Sequence, residues 1–300
     1  MTKTVVTIGV FDGVHAGHRQ LISHARSIAN DLNGELTVAS FDPHPTSVLR
    51  PDKFLGLLTL PQRRTELLLE QGVTRVEFLN FDSHLQLMHA LTFVKDVIVG
   101  QLHADVIVVG ENFRFGHKAA GSVETLQDIS AEFGFEVVPV VLAGDDQAWS
   151  STRIRHSLIA GDVASARTML GRSHRLTGVV VHGDHRGREL GFPTANLNVD
   201  QPLVVPADGV YSAMMHWDGQ AWPCAVSVGT NPTFDGVIGR RVEAYVMDHK
   251  HLDLYDHEIS LDFIDFVRPM LKFDGLDSLI EAMHNDVARA REQIADFLDS

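Results

Sequence analysis

Three glycines and two histidines near the start of the chain have the types and spacing that phosphate chemistry needs. The glycines are Gly9, Gly13 and Gly17, and the histidines are His15 and His18. Glycines let a backbone approach phosphate oxygens, and imidazoles can donate hydrogen bonds to oxygens that gain charge in a transition state. The spacing matches neither the Walker pattern nor Gly-x-Gly-x-x-Gly, so it predicts neither a P-loop nor a dinucleotide fold.

The flanking segments are predicted to hold this stretch at the phosphate-binding end of a parallel sheet. Thr4–Ile8 is an apolar, β-branched run typical of a buried strand, and apolar side chains then recur at helical spacing until Gly34. A strand that ends opposite a helix N-terminus leaves unpaired N–H groups facing the same space. On these residues alone, a structural elbow with surface histidines is the alternative, because short motifs often match by chance.

The composition excludes several classes of protein. The formal net charge of −14 disfavours a nucleic-acid or anionic membrane surface, so an anionic substrate would need local cations and a divalent metal ion. Cys224 is the only cysteine, which excludes an intramolecular disulfide and fits a reducing cytoplasm. We expect neither a signal peptide nor a transmembrane helix, because no charged-then-apolar leader and no apolar run of ~18 residues is present.

The first half of the chain alternates predicted strands and helices. After the first helix, strands are predicted at residues 36–41, 76–79, 105–109 and 136–142, and helices at 90–99 and 122–133. Thr59-Leu-Pro-Gln62 is interpreted as a capping box that opens a further helix. Strands separated by crossover helices, with apolar rather than alternating faces, predict an α/β domain whose parallel sheet is covered on both sides.

The pattern changes after Ser150. Residues 153–170 are predicted to be helical with a break at Gly161-Asp162, and the domain boundary is predicted near residue 171. From about residue 176 to 266, short β-rich runs are separated by Gly and Pro without an intervening helix, which predicts an antiparallel barrel or sandwich. Apolar side chains from Leu276 to Phe297 recur at helical spacing and predict a closing helix.

Three further stretches in the first half are expected at the ligand-binding edge of the sheet. Phe41-Asp-Pro-His-Pro45 is stiffened by its prolines, and Gly110-Glu-Asn-Phe-Arg-Phe-Gly116 offers aromatic rings and an amide that suit a flat heterocycle. Ser150-Ser-Thr-Arg-Ile-Arg155 opens a helix with two arginines, which oppose the helix dipole and so indicate an anionic ligand. An ordinary N-cap and core aromatics are the alternatives.

One loop of the second half carries hard oxygen ligands. Gly187-Arg-Glu-Leu-Gly-Phe-Pro-Thr-Ala-Asn196 combines two glycines, which allow close approach, with the side-chain oxygens of Thr194 and Asn196. A magnesium–ATP site needs few protein ligands of this kind, because water and phosphate supply the others. By itself, the loop fits a plain turn between strands equally well.

Together these stretches resemble a known family. GVFDGVHAGH at residues 9–18 is similar to the His-x-Gly-His signature of nucleotidylyltransferases and, at this length, to the adenylyltransferase half of prokaryotic bifunctional riboflavin kinase/FAD synthetases. The other three stretches of the first half resemble further motifs of that domain. The second half resembles the riboflavin kinase barrel through the loop that ends at Asn196 and through residues 178–183, 208–211, 227–234 and 241–245.

The resemblance implies an FMN adenylyltransferase domain over residues 1–171, with a Rossmann-like parallel-sheet nucleotidylyltransferase fold. Its ATP phosphates would be held by His15, Gly17, His18, Ser151, Thr152 and Arg155, of which the two histidines would be catalytic. The flavin would be bordered by His44, Pro45 and Asn112, and Gly9 and Phe11 would belong to the same cofactor-binding region. Trp149 departs from the aliphatic residue that the family often has before Ser-Ser-Thr.

The resemblance also implies a riboflavin kinase domain over residues 172–300. Thr194 and Asn196 would ligate Mg²⁺, and Glu243 would act as base on the ribityl hydroxyl. Gly187, Gly191 and Pro193 would contribute to cofactor binding. Asp256 stands where the family commonly has glycine, and we expect the fold to survive because aspartate tolerates a left-handed turn.

The predicted function is therefore a two-domain, cytoplasmic enzyme of flavin-cofactor synthesis. It would phosphorylate riboflavin to FMN and then adenylylate FMN to FAD, using Mg·ATP twice and binding neither nucleic acid nor membrane. The histidine pair is expected to act electrostatically rather than as a metal site. The alternatives are a non-catalytic flavin or nucleotide sensor and a monofunctional adenylyltransferase whose barrel stores flavin. The sequence does not indicate an oligomeric state.

Overall fold

Five short, mostly apolar strands form the parallel sheet of the first half. They are β1 (Thr4–Ile8), β2 (Glu35–Asp42), β3 (Arg75–Asn80), β4 (Val106–Gly110) and β5 (Glu136–Val140). The strands are ordered β3-β2-β1-β4-β5, and all neighbours run parallel. Because the order reverses at β1, the crevice at the carboxyl ends of β1 and β4 is the switch point where such sheets bind ligands. The predicted α/β class is confirmed.

Helices cover both faces of this sheet. They are α1 (Ala16–Asp31), α2 (Pro45–Leu49), α3 (Pro61–Glu70), α4 (Ser83–Leu87), α5 (Ala90–Thr92) and α6 (Val123–Phe133), with a π-helix at Phe93–Gln101 and 3₁₀ turns at Pro51–Lys53 and His117–Ala119. Apolar side chains of α1 and α3 pack on one face of the sheet, and those of the π-helix and α6 pack on the other. Each face therefore has its own hydrophobic core.

Two helix predictions of the first half are wrong in detail. The capping box at Thr59 does not form, because α3 begins at Pro61 after Leu60 and the Thr59 hydroxyl donates a hydrogen bond to Asp12 instead. The helix predicted over residues 90–99 is α-helical only as far as Thr92 and continues as the π-helix to Gln101. In the first case a tertiary contact takes the hydroxyl that local capping would have used.

The computed structural model describes residues 2–141, 149–183, 190–232, 238–249 and 252–299, without the side chains of 230–232, 238 and 239. The chain divides into two compact units, Met1–Ser151 and Thr152–Ser300. This division differs from the predicted boundary near residue 171 by residues 152–170, which pack with the second unit. Among the described residues, no helix has both the length and the apolar character needed to cross a membrane.

The second unit is a closed antiparallel barrel with helices before and after it. Its elements are α7 (Ser151–Ile159), α8 (Val163–Leu170), β6 (His174–Val181), β7 (Thr194–Asn198), β8 (Gly209–Trp217), β9 (Gln220–Pro232), β10 (Ile238–Val246), β11 (Glu258–Arg268) and α9 (Leu276–Leu298). The barrel closes in the order β10-β7-β6-β11-β8-β9. The predicted barrel, the break near Gly161 and the closing helix are confirmed, whereas β7 was not predicted because Thr-Ala-Asn-Leu-Asn has low β-propensity.

Along each barrel strand, side chains alternate between the interior of the barrel and its outer face. On β10, Val242, Ala244 and Val246 are buried in the interior, while Glu243 and Tyr245 are half-buried on the outer face. The barrel interior also holds Cys224, whose thiol pKa is raised by burial, and Tyr211, whose pKa burial raises to about 12. Both groups therefore stay protonated at neutral pH.

The closing helix α9 covers part of this outer face. Ala290 and Ile294 of α9 pack against Ala225, Met247 and Ile264 of the barrel. The strand beneath it, β11, is irregular, because its pairing with β8 shifts by one residue between Phe266 and Arg268. Such a bulge changes the face on which the next side chain lies.

Candidate active sites

The loop between β1 and α1 holds the predicted histidine pair. His15 is the N-cap of α1, and its Nδ1 accepts a hydrogen bond from the His18 backbone N–H at 3.4 Å. The two imidazole rings stack with their centroids 3.6 Å apart. A Cβ on Gly17 would lie 3.3 Å from Cε1 of His15, so glycine leaves room for the buried His15 ring. The spacing that suggested phosphate chemistry thus builds one compact imidazole pair at a helix N-terminus.

The other side of this loop is packed by Phe11. The Phe11 ring is buried, and a Cβ on Gly9 would lie 3.1 Å from it. The same ring meets the His18 ring edge-on at 5.1 Å between centroids. Phe11 therefore packs against the His18 ring and limits its movement. The predicted part of Phe11 in cofactor binding stays a prediction.

A buried network that the sequence did not predict fixes the loop to the rest of the sheet. The Asp12 carboxylate, fully buried, accepts hydrogen bonds from the backbone N–H groups of Leu58 and Thr59 at 2.9 Å each. Arg64, 1% exposed, donates to the carbonyls of Val10 and Phe41 at 3.2 Å each and lies 3.5 Å from Asp12. The carboxyl ends of β1 and β2 are therefore joined through one guanidinium.

Ser151 reaches the same loop from far along the sequence. Its hydroxyl donates a hydrogen bond of 2.8 Å to the carbonyl of Asp12. This contact brings one predicted phosphate-binding residue to the β1–α1 loop. Thr152 and Arg155 follow on α7 within the second unit, where Arg155 is 7% exposed. Their predicted contact with phosphate stays a prediction.

A cavity of about 890 Å³ opens at the carboxyl ends of the strands in the first unit. Three predicted residues line it together, namely Gly9, Pro45 and Asn112. Other residues of the two predicted stretches line it as well, namely Phe41, Phe113, Arg114 and Phe115, and residues outside those stretches complete the wall, namely Arg50, Phe81, Phe93, His117 and Lys118. The size and the aromatic lining suit a flat tricyclic ligand, and the cations suit an anionic one.

His44 lies beside this region rather than on the cavity wall. It is the N-cap of α2, and its Nδ1 accepts a hydrogen bond of 3.1 Å from the Thr46 backbone N–H. Its ring packs on Phe54 with 5.3 Å between centroids. In this arrangement His44 fixes the turn that presents Pro45, and its predicted contact with the flavin stays a prediction.

On the barrel, the predicted metal ligands and the predicted base lie on one face. Thr194 and Asn196 are two residues apart on β7, so both side chains point to the outside of the barrel. Asn196 pairs directly with Glu243 on β10, and Thr194 pairs with Tyr245. Side chains of directly paired residues are neighbours on the sheet surface. The three functional candidates of the kinase half are therefore brought together.

Magnesium fits this donor set. A Cβ on Gly183 would collide with the Asn196 side-chain amide, so glycine leaves open the space in which that amide lies. The hydroxyl of Thr194 and the amide oxygen of Asn196 are the hard, neutral donors that Mg²⁺ accepts when phosphate and water complete its shell. Within the described ranges, no three His, Cys, Asp or Glu side chains are grouped as a metal site.

A cavity of about 180 Å³ lies between this face of the barrel and α9. It is lined by Thr194 and Glu243 together with apolar side chains of the barrel and of α9, among them Phe192, Tyr245, Leu279 and Met283. Ser227, Arg268 and Asp286 line it as well, so its walls combine an ion pair, a further carboxylate and hydroxyls with aromatic and aliphatic surface. Such a cavity suits a ring system that carries a polyhydroxylated chain.

Three residues of the predicted nucleotide loop are only partly described. Gly191 has a φ of +86°, the left-handed backbone that favours glycine, and Pro193 is half-buried before β7. Gly187 lies outside the described residues, as do Thr233 and Phe234 of the stretch at residues 227–234. Asp256 has a φ of +62°, so the left-handed turn expected there is confirmed.

The two units define a class of enzyme that combines a parallel-sheet nucleotidylyltransferase with a closed-barrel kinase. The FAD synthetase family matches residues 1–153 of the chain, and the riboflavin kinase family matches residues 170–294. The chain therefore belongs to the family of bifunctional riboflavin kinase/FMN adenylyltransferases, which use ATP to make flavin cofactors.

Curated relatives match almost the full chain. A bifunctional riboflavin kinase/FMN adenylyltransferase of Listeria monocytogenes is 32% identical over 98% of this chain and 94% of its own length. The Pseudomonas fluorescens protein of that name is 35% identical, covering 96% and 92%. A solved structure from Streptococcus pneumoniae, described as a macrolide-efflux protein, superposes with a TM-score of 0.89 at 32% identity and covers 97% of this chain and 94% of that one.

Proposed function

We propose that the barrel phosphorylates riboflavin with Glu243 as the base. The observation that carries this proposal is the direct pairing of Glu243 with Asn196, within a cavity that Thr194 also lines. A carboxylate beside the terminal ribityl hydroxyl can accept its proton as the oxygen attacks the γ-phosphorus of ATP, and ADP leaves. The apolar wall formed with α9 would hold the isoalloxazine ring and exclude water from the hydroxyl.

Thr194 and Asn196 are proposed to hold the magnesium ion of the nucleotide. A bound Mg²⁺ would supply positive charge that offsets the charge of the nucleotide phosphates. The two side chains fix where that charge lies relative to Glu243, because all three stand on adjacent strands. Gly187, Gly191 and Pro193 are proposed to let the loop before β7 approach the nucleotide.

In the first unit, we propose that the larger cavity binds FMN and the β1–α1 loop binds ATP. A phosphate oxygen of FMN attacks the α-phosphorus of ATP, the bond to the β-phosphate oxygen breaks, and pyrophosphate leaves. No protein nucleophile is needed, so the chain contributes alignment and charge stabilisation. His15 and His18 donate hydrogen bonds to the phosphates, and Gly9 and Gly17 allow the close approach. Ser151, Thr152 and Arg155 are proposed as the remaining phosphate contacts.

Flavin chromatography of two variants tests this division of labour. Glu243→Gln is expected to abolish FMN formation from riboflavin yet still convert supplied FMN to FAD. His18→Ala is expected to accumulate FMN and make no FAD. The purified protein is also expected to carry no stoichiometric transition metal at the histidines. A folded Glu243→Gln protein that fails to adenylylate FMN would show that the two sites are not independent.

A further inference from the structure

The outer face of the barrel carries a continuous row of paired residues. Asn196 pairs with Glu243, Glu243 with Ser227, Ser227 with Val210, and Val210 with Arg268. The row therefore runs across five strands, and its side chains lie on one face of the sheet. Adjacent strands are roughly 4.8 Å apart, so Glu243 and Arg268 are separated by about 14 Å along the surface. That span is comparable with a tricyclic ring that carries a five-carbon chain.

Arg268 belongs to this row only because of the bulge in β11. Phe266 pairs with Tyr211, yet the next pair is Arg268 with Val210, so Val267 is the additional residue. In a regular strand the partner of Val210 would have been Val267, and Arg268 would have faced the opposite side. The bulge thus places an arginine on the wall of the cavity, which Glu243 lines as well.

The guanidinium of Arg268 is held in one orientation. Its Nε and Nη2 donate to the two carboxylate oxygens of Asp286 at 2.6 and 2.7 Å, and its Nη1 donates to the Pro269 carbonyl at 2.9 Å. The Phe273 ring lies 5.6 Å from its central carbon. Within the described part of the chain, these three bonds use Nε–H and one N–H each of Nη1 and Nη2, which leaves a second N–H on Nη1 and on Nη2.

Docking of α9 does not depend on this ion pair alone. Ala290 and Ile294 pack into the barrel surface, and the Gln293 amide donates to the Phe266 carbonyl at 3.1 Å. A second fork joins Arg291 to Asp248 at 2.9 and 3.1 Å, on an exposed part of the helix. Asp286 is nevertheless among the few buried residues of α9, and burying a charged pair is expensive. Other contacts therefore also hold the helix, and the buried charged pair is expected to add little net stability to them.

We propose that Arg268, oriented by Asp286, binds the flavin ring in the kinase cavity and determines its affinity. The inference rests on the proposed function, in which Glu243 meets the ribityl hydroxyl. With that hydroxyl at Glu243, the ring extends along the row towards Arg268. The two available N–H groups then donate to the carbonyl oxygens of the pyrimidine half of the isoalloxazine. Asp286 prevents the guanidinium from turning away, and Arg268 takes no part in the phosphoryl transfer itself.

The test separates ring binding from helix docking. In the double variant Arg268→Met/Asp286→Leu, apolar side chains of similar size replace the pair, which preserves packing. We expect the KM and the Kd for riboflavin, the latter measured by flavin fluorescence, to rise about tenfold or more, with kcat within about threefold. The control Arg291→Met/Asp248→Asn removes the exposed fork from the same helix and is expected to leave both constants unchanged.

Each possible result either supports or contradicts the assignment of Arg268 to flavin binding. A folded double variant with unchanged riboflavin KM and Kd would show that the pair only docks the helix, and a fall in kcat alone would place Arg268 in the chemistry instead. If the double variant does not fold, Arg268→Lys decides, because lysine keeps the charge but cannot form the fork and should raise the KM similarly. If the unmodified protein makes no FMN from riboflavin, the proposed kinase function fails rather than this assignment.

Discussion

The β1–α1 loop of the first unit and the barrel face that carries Asn196 and Glu243 in the second differ in how their candidate site residues are brought together. His15 and His18 come from one contiguous stretch, and a buried Asp12 and Arg64 fix that stretch to its neighbours. Asn196 and Glu243 come from separate strands and meet through sheet register. The loop therefore depends on a few buried polar contacts, whereas the barrel site depends on many backbone hydrogen bonds. A single substitution beneath the loop should do more harm than one beneath the barrel site.

The largest effect is expected from Arg64→Met. Because Arg64 is buried and joins the Val10 and Phe41 carbonyls, its loss removes this donor from both carbonyls and removes the cation that lies 3.5 Å from the buried Asp12 carboxylate. We expect the first unit to lose about 3–5 kcal/mol of stability, measured by urea unfolding, and FAD formation to fall below detection. The control is Arg63→Met, since Arg63 is partly exposed and pairs with Glu66 on the same helix. Retention of FAD synthesis by Arg64→Met would contradict this role of the network.

The next effect concerns the boundary of the second unit. The structure divides after residue 151, whereas the sequence predicts a boundary near residue 171. Comparing fragment 152–300 with fragment 172–300 tests which boundary gives the more stable barrel domain. Arg167 lies over the Phe297 ring at 4.8 Å, and the Leu158 carbonyl accepts from Ala207 N–H at 3.0 Å. We expect both fragments to convert riboflavin to FMN and stop there, with 172–300 melting several degrees lower because each lost buried apolar side chain contributes about 1.5–3 kcal/mol. Equal melting temperatures would support residue 171.

A smaller, selective effect is expected at the proposed metal ligands. Asn196→Ala removes a hard donor from the row, so the Mg²⁺ concentration that half-saturates FMN formation should rise about tenfold. The control is Asn198→Ala, because Asn198 lies two residues further on β7 and its amide donates to Asp200 at 2.8 Å. A magnesium titration of FMN formation measures both. If Asn196→Ala leaves the titration unchanged, Asn196 is not a ligand.

The smallest effect is expected from Asp256→Gly. A left-handed φ of +62° costs a non-glycine residue about 1 kcal/mol, and the greater chain entropy of glycine offsets 0.5–1 kcal/mol of that in the unfolded state. The free energy of unfolding, measured by thermal denaturation, should therefore change by less than about 1 kcal/mol. The rate of FMN formation should stay within about threefold of that of the unmodified protein. A large gain in kinase activity would show that the departure from the family's glycine has a functional cost.

The sequence predicted structural features that depend on residues close together along the chain. It did not predict hydrogen bonds and strand pairings between residues that are far apart in the sequence. The apolar patterns on either side of the glycine and histidine stretch were enough to place it between a strand and a helix. The partners of Asp12 lie 46 and 47 residues away, and no periodicity indicates them. Thr59 is an example: its local sequence predicts a helix cap, but its hydroxyl donates a hydrogen bond to the distant Asp12 instead. In the barrel, the sequence singled out Thr194 and Asn196 as candidate oxygen ligands, but it did not indicate their pairing with β10, because turn signals alone do not fix strand register.

The two units also differ in their exposure to edge-to-edge pairing between molecules. The barrel closes on itself, whereas β3 and β5 end the parallel sheet and, within the described residues, each pairs with one strand only. Exposed strand edges are where chains aggregate unless charge or proline blocks them. Arg75 and Glu77 place an ion pair on β3, and Pro139 removes a donor from β5. Under thermal or mutational stress, self-association should therefore begin in the adenylyltransferase unit, and Pro139 is the residue that delays it.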